Sequence, residues 1–204
     1  MAPKSAEQTR KQILDAAYES FYRKGFTRSS VDEIAAAAAI TKRTLYYHFE
    51  SKDQLLAAVL ETQHGLSLSR VRKYEEKYLG NAEKFISVLF SELGKWSEKP
   101  GWSGSGITRL VMELADPPGH PARAVARRHK AEVLNWIVAM LGRAKTPQAA
   151  QRARELQILI EGVNAMILIS GDRTYVQTAA AAAKRLVKSG RTARGSRPSP
   201  PASP

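Results

Sequence analysis

Apolar positions recur every three or four residues along almost the whole chain, with no strand-like alternation and no internal repeat. Ile13, Ala17 and Phe21 fall at i, i+4 and i+8, with Leu14 and Tyr18 beside them. A stripe at this period lets an amphipathic helix bury one face. It predicts a first helix over about 5–24, ended at Gly25, a residue that enters the left-handed region freely. Phe26 follows, placed to fold back on the last turn. Ser30-Val31-Asp32-Glu33 has the form of a capping box, in which the Ser30 hydroxyl and the Glu33 side chain each satisfy an end N–H of a new helix. That short helix would bury Ile34, Ala35 and Ala38. Thr41 is a good cap for the next helix, from Lys42 to about Phe49. Ser51-Lys52-Asp53-Gln54 is a second capping box and opens a long helix carrying Leu55, Leu56, Val59 and Leu60.

Helix starts packed this closely leave connections of only a few residues. Short helices so joined must cross steeply to share one small core, which is the sequence form of a helix-turn-helix. Beyond residue 80 the expected helices lengthen, to about 82–97, 105–115, 120–143, 147–170 and 174–188. The breaks are Lys99-Pro100-Gly101, Pro117-Pro118-Gly119, Thr146-Pro147 and Gly171-Asp172. The expected fold class is all-α, with an N-terminal three-helix domain over 1–51 and a larger helical domain over 52–189. Residues 190–204, rich in Pro, Ser and Arg, read as a disordered tail.

Composition narrows the function. With 204 residues and 43% apolar content the chain can bury a core. Its lack of cysteine excludes disulfides, zinc-thiolate sites and thiol catalysis. The N-terminus lacks a signal-peptide apolar run, and the apolar stretch near 156–169 is broken by Glu161 and Asn164, so a cytoplasmic protein with no membrane span is expected. The net charge of +13 favours polyanion partners but does not locate a site. Residues 1–50 hold eight Lys/Arg and six Asp/Glu, only +2, leaving +11 to the rest.

The segment Thr41-Lys42-Arg43-Thr44-Leu45-Tyr46-Tyr47-His48-Phe49 is the most informative. On a helix, Leu45 and Phe49 share a face and can pack on Ile34 and Phe21. Two cations, a hydroxyl, two tyrosines and a histidine then point outward. Lys and Arg can meet guanine edges or phosphates, and Thr and Tyr can donate to phosphates or touch a thymine methyl. The pattern from Thr9 to Leu60 resembles the TetR family of regulators. It includes Ile13-Leu14-Asp15-Ala16-Ala17, Phe21, Gly25-Phe26, Val31-Asp32-Glu33-Ile34-Ala35, Thr44-Leu45-Tyr46-Tyr47-His48-Phe49, Ser51-Lys52 and Leu55-Leu56. The resemblance implies a reading helix at 42–48, with Lys42, Arg43 and Thr44 as base readers. It places Tyr46, Tyr47 and His48 mainly on backbone, with Tyr47 also in reach of a base. It further implies phosphate contacts from Lys52, at a helix N-terminus, and from Arg28, and places Ser30 and Val31 near the opposite groove wall; Thr41, the cap of the reading helix, is counted with the DNA-binding residues. Where family members usually carry Gly in the turn between the short helices, this chain has Ala39.

The same resemblance implies a homodimer through the last two helices, about 147–170 and 174–188, on a palindromic operator. The segment 154–170 is apolar on nearly every face, as a helix between core and partner would be. It also implies a small-molecule effector, for which the candidate lining is Trp96, Trp102, Arg109, Met112, Trp136, Met140, Glu161 and Asn164. Glu161 would need a partner, and Arg109 is a candidate by charge alone. His120 and His129 lack a nearby ligand set, so neither a metal nor a cofactor is expected. The expected function is a repressor released from its operator by a small, largely apolar ligand. The rivals are a non-specific architectural DNA binder and a helical enzyme, and for the enzyme no triad, phosphate loop or metal spacing is present.

Overall fold

The computed structural model describes residues 5–78, 80–114 and 119–188. The expected tail at 190–204 lies outside the described residues. Among those described there are nine helices and no strand: α1 Ala6–Lys24, α2 Val31–Ala37, α3 Lys42–His48, α4 Lys52–Tyr78, α5 Ala82–Ser97, α6 Gly106–Met112, α7 Pro121–Arg143, α8 Ala149–Ser170 and α9 Thr174–Lys188. The all-α expectation holds, and most boundaries fall within a residue or two of those read from the apolar period. Helix α6 is the exception, ending at Met112 rather than near 115.

The caps explain the starts. The Ser5 hydroxyl accepts from the Gln8 N–H and the Gln8 side chain accepts from the Ser5 N–H, a capping box that opens α1. Ser30 and Glu33 do the same for α2. The Thr41 hydroxyl accepts from the Thr44 N–H to open α3, and Ser51 from the Gln54 N–H to open α4. Each satisfies a donor that the first helical turn leaves unpaired.

The described residues divide into two compact units, one made of those up to 73 with those from 97 to 133, the other of those from 74 to 96 with those from 134 onward. In the first, Ile13, Ala17 and Phe21 of α1 share a core with Ile34 and Ala35 of α2, Leu45 of α3, Phe49, and Leu55 and Leu56 of α4. Leu110 and Leu114, from α6 and just beyond it, close the same core. In the second, α8 and α9 pack along each other. Ala179 and Ala183 are buried within the protomer, whereas Ile158, Leu168 and Ile169 of α8 stay exposed. No helix among the described residues is long and apolar enough to cross a membrane.

Candidate nucleic-acid interface

The interface is built on α2 and α3. Helix α2 ends through Ala38, after which the chain turns by a left-handed residue. Ala39 has φ of +52°. The Ile40 N–H reaches the Ala35 carbonyl and the Ala39 N–H the Ala36 carbonyl, each at 3.0 Å. This is a Schellman closure, with Ala39 at the position where glycine is favoured. The turn anticipated from the missing glycine therefore does require positive φ.

Helix α3 is anchored on one side only. Leu45 and the following Phe49 are buried in the core they share with Phe21 and Ile34. The other side carries Lys42, Arg43, Tyr46 and Tyr47, all exposed, with Tyr47 83% exposed and Tyr46 44%. His48 is half-buried, and its ring meets Tyr47 edge-on at 5.3 Å. Thr44 is half-buried, with its hydroxyl 2.8 Å from that of Thr41, so both threonines serve the cap while bordering the outward face. The Lys42 ammonium lies 3.0 Å from the Asp32 carboxylate of α2, and this hydrogen bond raises its pKa above the ordinary lysine value.

The flanking positions are also placed. Arg28 is exposed and donates from Nε to the Lys24 carbonyl at 2.9 Å, capping the end of α1. Ser30 is exposed at the N-cap of α2, and Val31, its first residue, is half-buried. The Lys52 ammonium sits 4.3 Å over the Phe26 ring, and burial lowers its pKa below the ordinary value. Arg10 was not anticipated from the sequence. Its guanidinium lies 5.1 Å over the Phe49 ring, at the end of α3. An exposed arginine within an amphipathic helix carries no local signal of such a contact.

Below the interface, α6 is bonded to the end of α1. The Arg109 guanidinium donates to the carbonyls of Phe21 and Tyr22 and lies 5.6 Å over the Tyr22 ring. The Glu113 carboxylate accepts from the Thr27 N–H at 3.1 Å and fills the space beside Gly25, where a Cβ would come within 2.6 Å of it. Arg109, expected from charge alone to pair with Glu161, is thus engaged by backbone oxygens of α1. Glu161 itself is half-buried on α8.

The candidate ligand residues fall on both units. Trp102, Arg109 and Met112 belong to the first unit, and Trp96, Trp136, Met140, Glu161 and Asn164 to the second. Met112 is 70% exposed and Met140 is core. Trp136 packs edge-on against Phe85 at 5.1 Å, and Asn164 is buried, donating to the Ile160 carbonyl. No set of three or more metal-ligating side chains is present among the described residues. His129 meets His64 instead, Nδ1 to Nδ1 at 3.1 Å, in a buried pair that sequence reading did not anticipate.

A capped three-helix unit with an outward cationic and aromatic helix face defines the helix-turn-helix class of proteins. Residues 13–59 match the family model described as bacterial regulatory proteins, tetR family. Over 92 residues the chain is 35% identical to the HTH-type transcriptional regulator TtgR of Pseudomonas putida, covering 43% of this chain and 44% of that protein. Over 84 residues it is 36% identical to the HTH-type transcriptional regulator AcrR of Shigella flexneri, covering 41% and 38%. The match thus spans less than half the length of these relatives. The fold extends further. A TetR-family transcriptional regulator from Streptomyces coelicolor superposes with a TM-score of 0.80 at 22% identity, covering 89% of this chain and 95% of that one. Over residues 13–59 the chain is thus similar to the tetR family model, and over most of its length it has the fold of that solved regulator.

Proposed function

We propose that the chain is a sequence-specific DNA-binding transcriptional regulator that binds a palindromic operator as a homodimer. The observation that carries this reading is the outward face of α3, where Lys42, Arg43, Tyr46 and Tyr47 are exposed on a helix whose other side is locked into a core. Lys42, Arg43 and Thr44 read base edges. Tyr46, Tyr47, His48, Lys52, Arg28 and the N-terminus of α2 at Ser30 and Val31 hold the backbone. Residues 1–51 form the reading head and 52–189 carry dimerisation and effector binding. One reading head contacts too few base pairs for useful specificity, whereas two heads spaced by about one DNA turn, ~34–36 Å, read a palindrome. The apolar residues that α8 leaves exposed, Ile158, Leu168 and Ile169, support its use with α9 as the dimer face. A small-molecule effector binding the body would release the operator, making the protein a repressor that works in the cytoplasm.

The test starts with DNA selected from a random pool by the protein, sequenced for symmetry. Lys42→Ala with Arg43→Ala then abolishes the shift of the selected site in a gel assay. Undiminished sequence-specific affinity in that double variant would remove α3 as the reader. Binding that ignores sequence and collapses with salt would favour the architectural reading instead.

A further inference from the structure

The cations of the first four helix starts differ in what holds them. Lys11, Arg23, Lys24 and Lys42 each pair with a carboxylate, on Asp15, Glu19, Glu33 and Asp32 in turn. Arg28 is held by the Lys24 carbonyl. Arg10, Arg43 and Lys52 have no carboxylate at ion-pair distance among the described residues. Arg43 stands on the first turn of α3 and Lys52 opens α4, both already counted in the interface. Arg10 belongs to α1, and its guanidinium reaches the ring of Phe49, the residue that ends α3. Glu7, about one turn earlier on α1, and Glu50, beside Phe49, are exposed and stand outside ion-pair distance of it. Residues 1–4, ahead of α1, contain no acidic side chain.

A solvated cation needs no counter-charge, so exposure by itself says nothing. Arg10 is distinguished by being both unpaired and fixed. Its guanidinium lies 5.1 Å over a ring that is only 5% exposed and is packed in the core with Phe21 and Ile34. The cation–π contact positions the charge. It consumes no conventional hydrogen bond, so the planar set of N–H donors is left for an oxygen ligand. Lys52, 4.3 Å over the Phe26 ring, repeats the arrangement at the first residue of α4. A helix with its side chains is about 10–12 Å across and the major groove about 12 Å wide, so α3 seated there fills it. A cation beside the end of α3, but carried by another helix, then meets the sugar–phosphate wall and not the base edges. We propose that Arg10 is a phosphate contact that extends the DNA interface onto α1. This rests on the function proposed above in taking DNA as the ligand. If Arg10 served only to cover Phe49 with its methylenes, an uncharged side chain of similar length would do as well.

The test measures fluorescence anisotropy of the selected operator and of a random duplex of equal length, each over a salt series, with the full chain. Arg10→Met keeps apolar cover on Phe49 and removes the charge. It should weaken both duplexes by a similar factor, about fivefold per reading head near ~0.15 M salt, and flatten the slope of log K against log salt by about 0.9 per head. Arg10→Lys should keep the parental slope. Lys11→Gln, which removes a neighbouring charge already paired with Asp15, should change the slope by less than half as much. Thermal melts check that the variants are folded, and Arg10→Gln serves if the methionine variant is not. A parental slope in Arg10→Met overturns the contact. So does a loss confined to the selected site, which would make Arg10 a base reader or a support for α3. A parent protein that selects no site fails the function proposed above, and the random duplex then still reads the Arg10 contact. A parent that binds neither duplex overturns both.

Discussion

Replacing Ala39 with glycine should stabilise this protein, although alanine to glycine is ordinarily destabilising. Ala39 has φ of +52° and is exposed, so its methyl contributes no core packing. For a residue with a Cβ, the left-handed region carries a cost of roughly 1–2 kcal/mol from crowding against the following carbonyl. Glycine removes that crowding, but it gives the unfolded chain more freedom, offsetting about 0.4–1 kcal/mol. The net expectation is a gain of about 0.5–1 kcal/mol, or roughly 1–4 °C in Tm for a chain of this size. Ala36→Gly supplies the internal control. Ala36 is equally exposed and lies three residues earlier, inside α2, where the same exchange should destabilise by about 0.5–1 kcal/mol. Urea unfolding followed by circular dichroism, at one protein concentration and with unchanged m-values, should therefore move the two midpoints in opposite directions. Lys145 offers a second instance. It is exposed with φ of +52°, just past the end of α7, where the Thr146 N–H bonds to the Leu141 carbonyl at 2.9 Å, and Lys145→Gly should follow Ala39→Gly. If Ala39→Gly shifts the midpoint downward, or in step with Ala36→Gly, the backbone argument is refuted.

Gly25→Ala should destabilise by at least about 1–2 kcal/mol, because its φ is +88° and the new Cβ would meet Glu113 at 2.6 Å. Adding Glu113→Ala should recover only the steric part, and full recovery in thermal melts would show that backbone strain at residue 25 is negligible. Asp32→Asn releases Lys42 and removes an acid beside the reading helix, so operator affinity should rise and its salt dependence steepen by up to about one ion. Weaker binding at an unchanged salt slope would mean that Asp32 positions Lys42 for contact. The Glu33 carboxyl is held below the ordinary glutamate range, first by the hydrogen bond from Lys24 and then by the Ser30 N–H. A depressed carboxyl pKa stabilises the fold above the unfolded value of about 4.3 and stops doing so as pH falls through the folded value. Glu33→Gln should therefore lie below the parent in urea midpoint at pH 7, with the gap closing at strongly acid pH. A gap of constant size across that range would exclude ionisation as its source.

The reading helix and the helix starts beneath it were legible in the chain because their causes are local. Ser30 with Glu33, and Thr41 with the Thr44 N–H, act across three residues, and the apolar period that buries Leu45 and Phe49 spans one helical turn. Even the strained turn at Ala39 was visible as an alanine where a glycine belonged. What only the tertiary structure decided is which distant side chains meet. Thr27 and Glu113 are 86 residues apart and His64 and His129 are 65 apart, and no short-range pattern pairs them. Charge alone matched Arg109 with Glu161, but the packing of α6 against α1 set its guanidinium on the Phe21 and Tyr22 carbonyls. The tryptophans and methionines read as a ligand lining by residue type, but what each of them packs on is set by the helices around it, as where Trp136 meets Phe85 edge-on. Hydrogen bonds within a helical turn are written in neighbouring residues, whereas the partner of a buried or charged side chain depends on how whole helices pack.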